Sequence, residues 1–277
     1  MDELTQYNKE RWEELAQAGT LYARPYLDLS VEGAHKIVDE VGLIGDCAGK
    51  DVLCLGGGGG QQAIAFALLG ARVTVFDIAE TQLGRDRQAA VHYGVALTTV
   101  QGDMRDLSRF ADRSFDIVWQ PYSINYVPDV SQVFAEVARV LRPGGLYQVD
   151  CHNPFTQLVD EMTWNGAGYL LSHPYRAGEE VIAEKYFSDA DWVFEDEQGV
   201  QRRVKSPRSW RHGLGAMINE LVRARFVLRH FAEVTFEYID PNAEDEPAPQ
   251  PGSWAHYMAV VAPYFRFWAI YRPDIEF

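Results

Sequence analysis

The chain has 277 residues, 47% of them apolar, with a formal net charge of −15 and a sequence pI near 4.8. This length and apolar content suffice for one large core with an elaboration, or for two small domains. The acidic excess argues against nucleic acid as a partner, because binding a phosphate backbone depends on lysine and arginine. We therefore expect a globular protein that acts on small molecules.

The cysteines and the N-terminus indicate the cellular compartment in which the protein is expected. The three cysteines, Cys47, Cys54 and Cys151, show no CxxC spacing, which argues against a metal centre or a disulfide framework. The N-terminus is acidic, and no uninterrupted apolar stretch approaches about 18 residues, so neither a signal peptide nor a membrane span is expected. The sequence thus predicts a cytoplasmic protein without a bound metal.

Residues 1–34 precede the regular part of the chain and are predicted to form an N-terminal cap. They contain an amphipathic helix at 3–18, in which Leu4, Trp12 and Leu15 lie near one face. A second helix is expected to follow Ser30.

From residue 51 onwards, strands alternate with helices. The predicted strands are 52–55, 72–76, 97–101, 115–119 and 146–151, and the predicted helices between them are 60–69, 80–92 and 130–141. This rhythm favours right-handed βαβ units and a parallel sheet, whose ligands bind beyond the carboxyl ends of the strands. Those ends are Gly56, Asp77, Asp103, Gln120 and His152.

The rhythm breaks after His152. Residues 155–208 are rich in aromatic side chains, and their pattern predicts a local antiparallel insertion with a turn at 196–199. The alternating stretches on which this prediction depends are 181–187 and 200–205. Beyond the insertion, the pattern predicts a helix from 214, a strand at 226–238, a solvated acidic loop at 241–252 and a last strand at 264–271.

Five consecutive glycines, Gly56–Gly60, join the first strand to the following helix. So many glycines indicate that a β-carbon cannot be accommodated, either because φ is positive or because another group packs against the backbone. We interpret that group as a ligand, since the N–H groups of a glycine turn suit the polar end of a nucleotide-like molecule. The alternative is a flexible loop, although flexible linkers rarely join a buried strand to a helix.

An acid about twenty residues after such a turn, here Asp77, also fits a dinucleotide-binding fold. The remaining segments distinguish the possibilities: Gly102-Asp-Met104, Phe115-Asp-Ile-Val-Trp-Gln120, Tyr126-Val-Pro-Asp129 and Val140-Leu-Arg-Pro-Gly-Gly145. In this order they resemble the class I S-adenosylmethionine-dependent methyltransferases, in particular a small-molecule (type 11-like) branch. The resemblance is strong over residues 35–153 and weaker over nearly the whole chain.

The resemblance implies a single α/β domain over 1–277. Its core would be a Rossmann-like, doubly wound, mostly parallel seven-stranded sheet with an antiparallel last strand, carrying the small antiparallel insertion. The implied cofactor is S-adenosylmethionine, with S-adenosylhomocysteine as product. The implied cofactor-binding residues are Gly56, Gly57, Gly58, Gly60, Gln61, Asp77, Ile78, Asp103, Met104 and Gln120.

Within this set, Asp77 would hold both ribose hydroxyls, while Asp103 and Met104 would flank the adenine. The alternative is that each aspartate caps the turn after its strand, and that Met104 simply packs in the core. The superfamily often carries an acid where this chain has Cys54. The carboxylate contact to the bound amino acid is therefore absent or supplied elsewhere.

Methyl transfer from a sulfonium requires mainly the alignment of donor and acceptor in a dry pocket. A base is needed only where the acceptor must lose a proton, and His152 and His212 are the candidates; the alternative is a turn-stabilising hydrogen bond. Residues 155–208 are expected to cover the cleft and select the acceptor. The predicted substrate contacts are Tyr122, Asn125, Tyr126, Asn153, Trp192 and Trp210.

Two other functions stay open from the sequence. A nicotinamide-dependent oxidoreductase would share the glycine turn, but the Leu141–Gly145 segment and the lack of a Tyr-x-x-x-Lys pair argue against it. A catalytically silent adenosylmethionine-binding or scaffold protein is compatible with the sequence, because no essential catalytic side chain is visible. The acceptor, the atom methylated and the oligomeric state do not follow from the sequence.

Overall fold

The computed structural model places a seven-stranded sheet at the centre of the chain. The structure describes residues 2–20, 23–156, 159, 163–172, 175, 177–181, 191–196, 198–234 and 249–275. The helices are α1 (Glu3–Gln17), α2 (Val31–Val38), α3 (Gln62–Leu68), α4 (Glu80–Tyr93), α5 (Val130–Val140), α6 (Leu214–Arg223) and α7 (Trp254–Val260). A 3-10 turn covers Ile124–Tyr126. The strands are β1 (Asp51–Leu55), β2 (Arg72–Asp77), β3 (Leu97–Gln101), β4 (Phe115–Gln120), β5 (Leu141–His152), β6 (Glu180–Val181), β7 (Asp191–Glu195), β8 (Gln201–Lys205), β9 (Ser209–Trp210), β10 (Phe226–Val234) and β11 (Tyr264–Tyr271).

The strand order is β10-β11-β5-β4-β1-β2-β3. Strands β1 to β5 are parallel to one another, β11 is antiparallel to β5, and β10 is antiparallel to β11. This confirms the predicted fold class. The direction of strand succession reverses between β1 and β4, and ligands of open α/β sheets bind at such a reversal.

The residues of β1 alternate between two hydrophobic cores. Leu53 and Leu55 pack in the core shared with α5 and α6, whereas Val52 and Cys54 pack in the core shared with α2 and α3. A sheet covered on both faces needs nearly continuous apolar strands, which explains the run Val52–Leu55. Cys54 is therefore a core residue, and burial raises the pKa of its thiol.

Side-chain caps fix where several helices begin. The side chains of Asp2, Ser30 and Asp129 accept hydrogen bonds from backbone N–H groups in the first turns of α1, α2 and α5. The predicted start of the fifth strand at 146 was wrong by five residues, because Leu141 already pairs with Phe115 before the register shifts.

The insertion is antiparallel as predicted, but the strand that pairs with Gln201–Lys205 is Asp191–Glu195, which the sequence analysis did not identify. Strands β7 and β8 pair antiparallel, and the turn between them is closed by Asp196, whose side chain accepts hydrogen bonds from the N–H groups of Gln198 and Val200. A second antiparallel pair joins β6 to β9. The rest of the predicted stretch 181–187, the end of the predicted strand at 235–238 and residues 241–248 of the acidic loop lie outside the described residues.

Within the described ranges, no helix has the length and apolar character needed to cross a membrane. The same residues contain no group of three or more histidine, cysteine, aspartate or glutamate side chains placed to hold a metal ion.

Candidate active site

Protein atoms surround the glycine turn between β1 and α3. Gly56 and Gly60 have φ values of +60° and +77°, which other residues rarely adopt. A β-carbon on Gly58 would lie 2.7 Å from Cβ of Gln82, and one on Gly60 would lie 2.8 Å from Cβ of Pro25. The glycines at 58 and 60 are thus needed for the close approach of α4 and of the segment before α2, which the ligand interpretation of the sequence did not foresee.

The N–H groups of this turn are bound by two carboxylates. Gly58 donates to Oδ2 of Asp77 at 3.0 Å, while Gly59 and Gly60 donate to the two oxygens of Asp86 at 3.0 and 2.9 Å. These amides were expected to be available to a ligand, and that expectation was wrong for all three. The turn is instead held in one shape before any ligand arrives.

Asp77 lies at the carboxyl end of β2 and is 8% exposed. Its Oδ1 accepts a hydrogen bond from the N–H of Ala79 at 2.9 Å, so the capping contact that was the alternative for this residue is present. Burial raises the pKa of Asp77 to about 6, against the opposing effect of the N–H groups of Ala79 and Gly58. Next to it, the carbonyl oxygen of Ile78 accepts a hydrogen bond from Gln101.

Asp86 was missed by the sequence analysis. It is fully buried on α4, and burial raises the pKa of its carboxyl to about 7. Its charge contributes to raising the pKa of the Cys54 thiol, so the carboxylate lies near the side chain that replaces the acid common on the first strand of the superfamily. One feature of the sequence could have identified Asp86: it is a charged residue on the same face of α4 as Ala89 and Ala90, which are buried.

Asp103, after β3, belongs to a charged cluster with the N-terminal helix. Its Oδ2 accepts hydrogen bonds from Oγ1 of Thr5 at 2.8 Å and from Nη2 of Arg105 at 2.6 Å, and Arg105 also pairs with Asp2. Burial acts to raise the pKa of Asp103, but the hydrogen bonds from Arg105 and Thr5 outweigh it and the pKa is lowered. Asp103 is therefore ionised at neutral pH.

Met104 and Gln120, two further residues predicted to bind the cofactor, lie beside the turn. Gln120 is fully buried, donates from Nε2 to Sδ of Met104 at 3.2 Å and accepts from the hydroxyl of Tyr147.

A β-carbon on Gly56 would lie 3.2 Å from Cε of Met104, and one on Gly57 would lie 3.3 Å from Pro121. Gln61 donates from Nε2 to the carbonyl oxygen of Arg24 at 2.9 Å. The residues predicted after β1, β3 and β4 thus meet at one place.

Two predicted substrate residues instead tie main-chain segments together. Asn125 is fully buried, donates from Nδ2 to the carbonyl oxygen of Trp210 at 3.2 Å and accepts from the N–H of His152 at 3.0 Å. Asn153 donates to the carbonyl oxygen of Ala262 at 2.8 Å and accepts from the N–H of Phe155. In these positions both amides already have protein partners.

Three predicted aromatic contacts lie around the same edge. Tyr122 has a φ of +49°, and its ring centroid lies 4.3 Å from that of Tyr264. Tyr126 packs edge-on against Trp12 of α1 at 5.0 Å. Trp210 is 7% exposed and therefore belongs largely to the interior. The side chain of Trp192 lies outside the described residues.

The two candidate bases occupy different environments. His152 is half-buried at the end of β5, where burial and then the charge of His212 lower its pKa to about 4. His212 is 4% exposed, and its Nε2 lies 3.0 Å from the carbonyl oxygen of Val127, the turn-stabilising bond considered as the alternative. Burial also lowers the pKa of His212, so both rings are neutral at pH 7.

Helix α1 lies across this edge of the sheet. Asn8 donates to the carbonyl oxygens of Tyr126 and Arg208, and Glu13 accepts hydrogen bonds from the N–H groups of Glu80 and Thr81 at the start of α4. These contacts connect the helix to the loop after β4, to the strand region of the insertion and to α4.

Part of the chain is similar in sequence to known methyltransferases. Residues 53–149 match a family described as a methyltransferase domain. Over 139 residues the chain is 39% identical to the uncharacterized methyltransferase YbaJ of Bacillus subtilis, covering 50% of this chain and 54% of that protein. It is 31% identical over 151 residues to a ubiquinone biosynthesis O-methyltransferase of Pseudomonas savastanoi, covering 54% of this chain and 62% of the relative.

A solved structure shows the same fold over a longer range. An S-adenosylmethionine-dependent methyltransferase from Mesorhizobium loti superposes with a TM-score of 0.57 at 18% identity, covering 88% of this chain and 100% of that chain. By sequence, the chain spans between half and two thirds of the length of these two curated relatives.

Proposed function

We propose that this chain, whose residues 53–149 match a methyltransferase-domain family, is a class I S-adenosylmethionine-dependent methyltransferase that transfers a methyl group from S-adenosylmethionine to a small-molecule acceptor. One observation carries the proposal. The carboxylate of Asp77 accepts a hydrogen bond from the N–H of Gly58 in the glycine turn, and this turn lies where the strand order reverses. The names of two relatives, a ubiquinone biosynthesis O-methyltransferase and a sterol 24-C-methyltransferase, support a small acceptor.

The residues at this edge fit the cofactor. In the proposed complex, Asp77 would offer carboxylate oxygens to the ribose hydroxyls, Asp103 and Met104 would flank the adenine, and Gln120 would lie below the methionine part; their mutual contacts at this edge support that assignment. When bound, S-adenosylmethionine supplies an electrophilic methyl group on a sulfonium. The protein then has to position the acceptor and exclude water. Such a direct transfer requires no covalent nucleophile.

We assign the covering of the site to two segments. Helix α1, within the predicted cap 1–34, contacts both Asp103 and the loop after β4, and these contacts support a role in closing over the adenine side. In the insertion 155–208, Trp164 packs against His256 of α7 with ring centroids 4.8 Å apart. We infer that this segment and α7 form the acceptor side and select which molecule enters.

Ligand binding and turnover test the proposed function together. In calorimetric titrations we expect the purified protein to bind S-adenosylmethionine and S-adenosylhomocysteine but not NAD⁺ or NADP⁺. Incubation with a metabolite extract and S-adenosylmethionine should give a product one methyl group heavier than its precursor. Preference for NAD⁺ would point to an oxidoreductase, and cofactor binding with no methylated product from a broad acceptor panel would favour the silent binding protein.

If the acceptor must lose a proton, we propose His152 as the base rather than His212, because His152 lies at the strand end and His212 is closed in by Val127. The His152→Ala variant should lose about a hundredfold in kcat, with unchanged affinity for S-adenosylhomocysteine. Because the pKa of His152 is lowered to about 4, the wild-type rate should be constant above about pH 5, instead of rising near 6.5 as an ordinary histidine would require.

The exposed His35 on α2 provides the matched control, and His35→Ala should leave kcat unchanged. A His152→Ala rate close to that of the wild type would leave alignment alone to explain the chemistry. The acceptor would then be an unprotonated amine or a group that is already ionised.

A further inference from the structure

Gln82 on α4 has a buried polar atom at the glycine turn. The residue is 6% exposed, and its Oε1 has no hydrogen-bond partner among the residues that the structure describes. That oxygen lies 3.3 Å from the position a β-carbon on Gly59 would take. Leaving an acceptor buried and unpaired is costly, so such an atom requires an explanation.

The surroundings of Gln82 indicate what could pair with it. The position of a β-carbon on Gly58 lies 2.7 Å from Cβ of Gln82 and 3.0 Å from Oδ2 of Asp77, so the two side chains flank the same glycine. Both oxygens of Asp77 already accept backbone N–H groups. A ligand with two hydroxyl donors at Asp77 therefore has a further acceptor next to it.

We propose that Gln82 is a cofactor-binding residue whose Oε1 accepts a hydrogen bond from a ribose hydroxyl of the ligand held by Asp77. This inference rests on the proposed function. Gln82 is held in place by its own helix, because Asp86, one turn further along α4, binds the N–H groups of Gly59 and Gly60. The backbone of Gln82 thus has a fixed position relative to the turn.

The first test compares Gln82→Met with wild type in calorimetric titrations with S-adenosylhomocysteine. Methionine keeps the length and packing of the side chain but removes the acceptor, so affinity should fall about fivefold, the effect of one neutral hydrogen bond. The thermal midpoint of the ligand-free variant should be equal or higher, because a buried unpaired oxygen is removed. The control is Gln88→Met, an exposed glutamine of the same helix, which should bind like wild type.

The second test identifies the partner atom with S-adenosylhomocysteine analogues that lack the 2′- or the 3′-hydroxyl. The fivefold difference between wild type and Gln82→Met should disappear with one analogue and persist with the other. Persistence with both analogues would overturn the ribose assignment, and wild-type affinity of Gln82→Met for S-adenosylhomocysteine would overturn the inference entirely. Failure of the wild-type protein itself to bind S-adenosylhomocysteine would instead refute the proposed function on which the inference depends.

Discussion

Replacing Asp77 with alanine should weaken the binding of S-adenosylhomocysteine by at least about a hundredfold. Each hydrogen bond from a ribose hydroxyl to the carboxylate is expected to contribute about 1.5–3 kcal/mol, and two are expected. The loss is increased by a second effect, because Asp77 also holds the N–H of Gly58 and so helps to shape the glycine turn. Calorimetric titration of both proteins measures the difference directly.

The pH dependence of binding provides an internal check on the role of Asp77. Because burial raises the pKa of Asp77 to about 6, the carboxyl becomes protonated as the pH falls through 6, and wild-type affinity should decrease over that range. The Asp77→Asn variant should lack this decrease. Asp106→Ala, which removes an exposed carboxylate after β3, should bind like wild type. Unchanged affinity of Asp77→Ala would remove Asp77 from the binding site.

The second large effect concerns stability and Asp86. Its pKa is raised from 3.8 to about 7 in the folded protein, so folding favours the protonated carboxyl. The resulting stabilisation is fully present below about pH 4 and is lost as the pH rises through 7. The shift corresponds to about 4 kcal/mol, and the residue is fully buried, so the effect is not screened by solvent.

Urea denaturation of wild type and Asp86→Asn between pH 4 and pH 8 isolates this contribution. The free energy of unfolding of the wild type should fall by up to about 4 kcal/mol relative to the variant across that range. Subtracting the free energy of unfolding of the variant from that of the wild type at each pH removes the opposing effect of His152. The lowered pKa of His152 destabilises the fold of both proteins as the pH falls. Asp28→Asn, at an exposed position, serves as the control. Parallel pH curves for wild type and Asp86→Asn would show that Asp86 titrates normally in the folded state.

The local sequence was sufficient for the sheet and for the edge at which the site lies. Short apolar strands alternating with helices predict a parallel arrangement, and the residues that end those strands must then meet along one edge. Gly56–Gly60 and Asp77 were predicted as site residues because the glycines follow the first strand and Asp77 ends the second. The turn at 196–199 was found for a similar reason, since turn residues act on their own backbone.

The partners of buried polar groups were decided only by the tertiary structure. Asp86 is 26 residues from Gly60 along the chain, and Asn125 is 27 residues from His152, yet each pair is joined by a hydrogen bond. A polar residue on a helix or in a loop looks the same in sequence whether it faces solvent or a distant backbone. Its role depends on which segments pack against it, and that packing also shifts the pKa values of Asp77 and Asp86 through loss of water. The sequence by itself determined the architecture and predicted the edge of the candidate site, whereas the carboxylates that hold the glycine turn and the neutral state of both histidines follow from long-range burial.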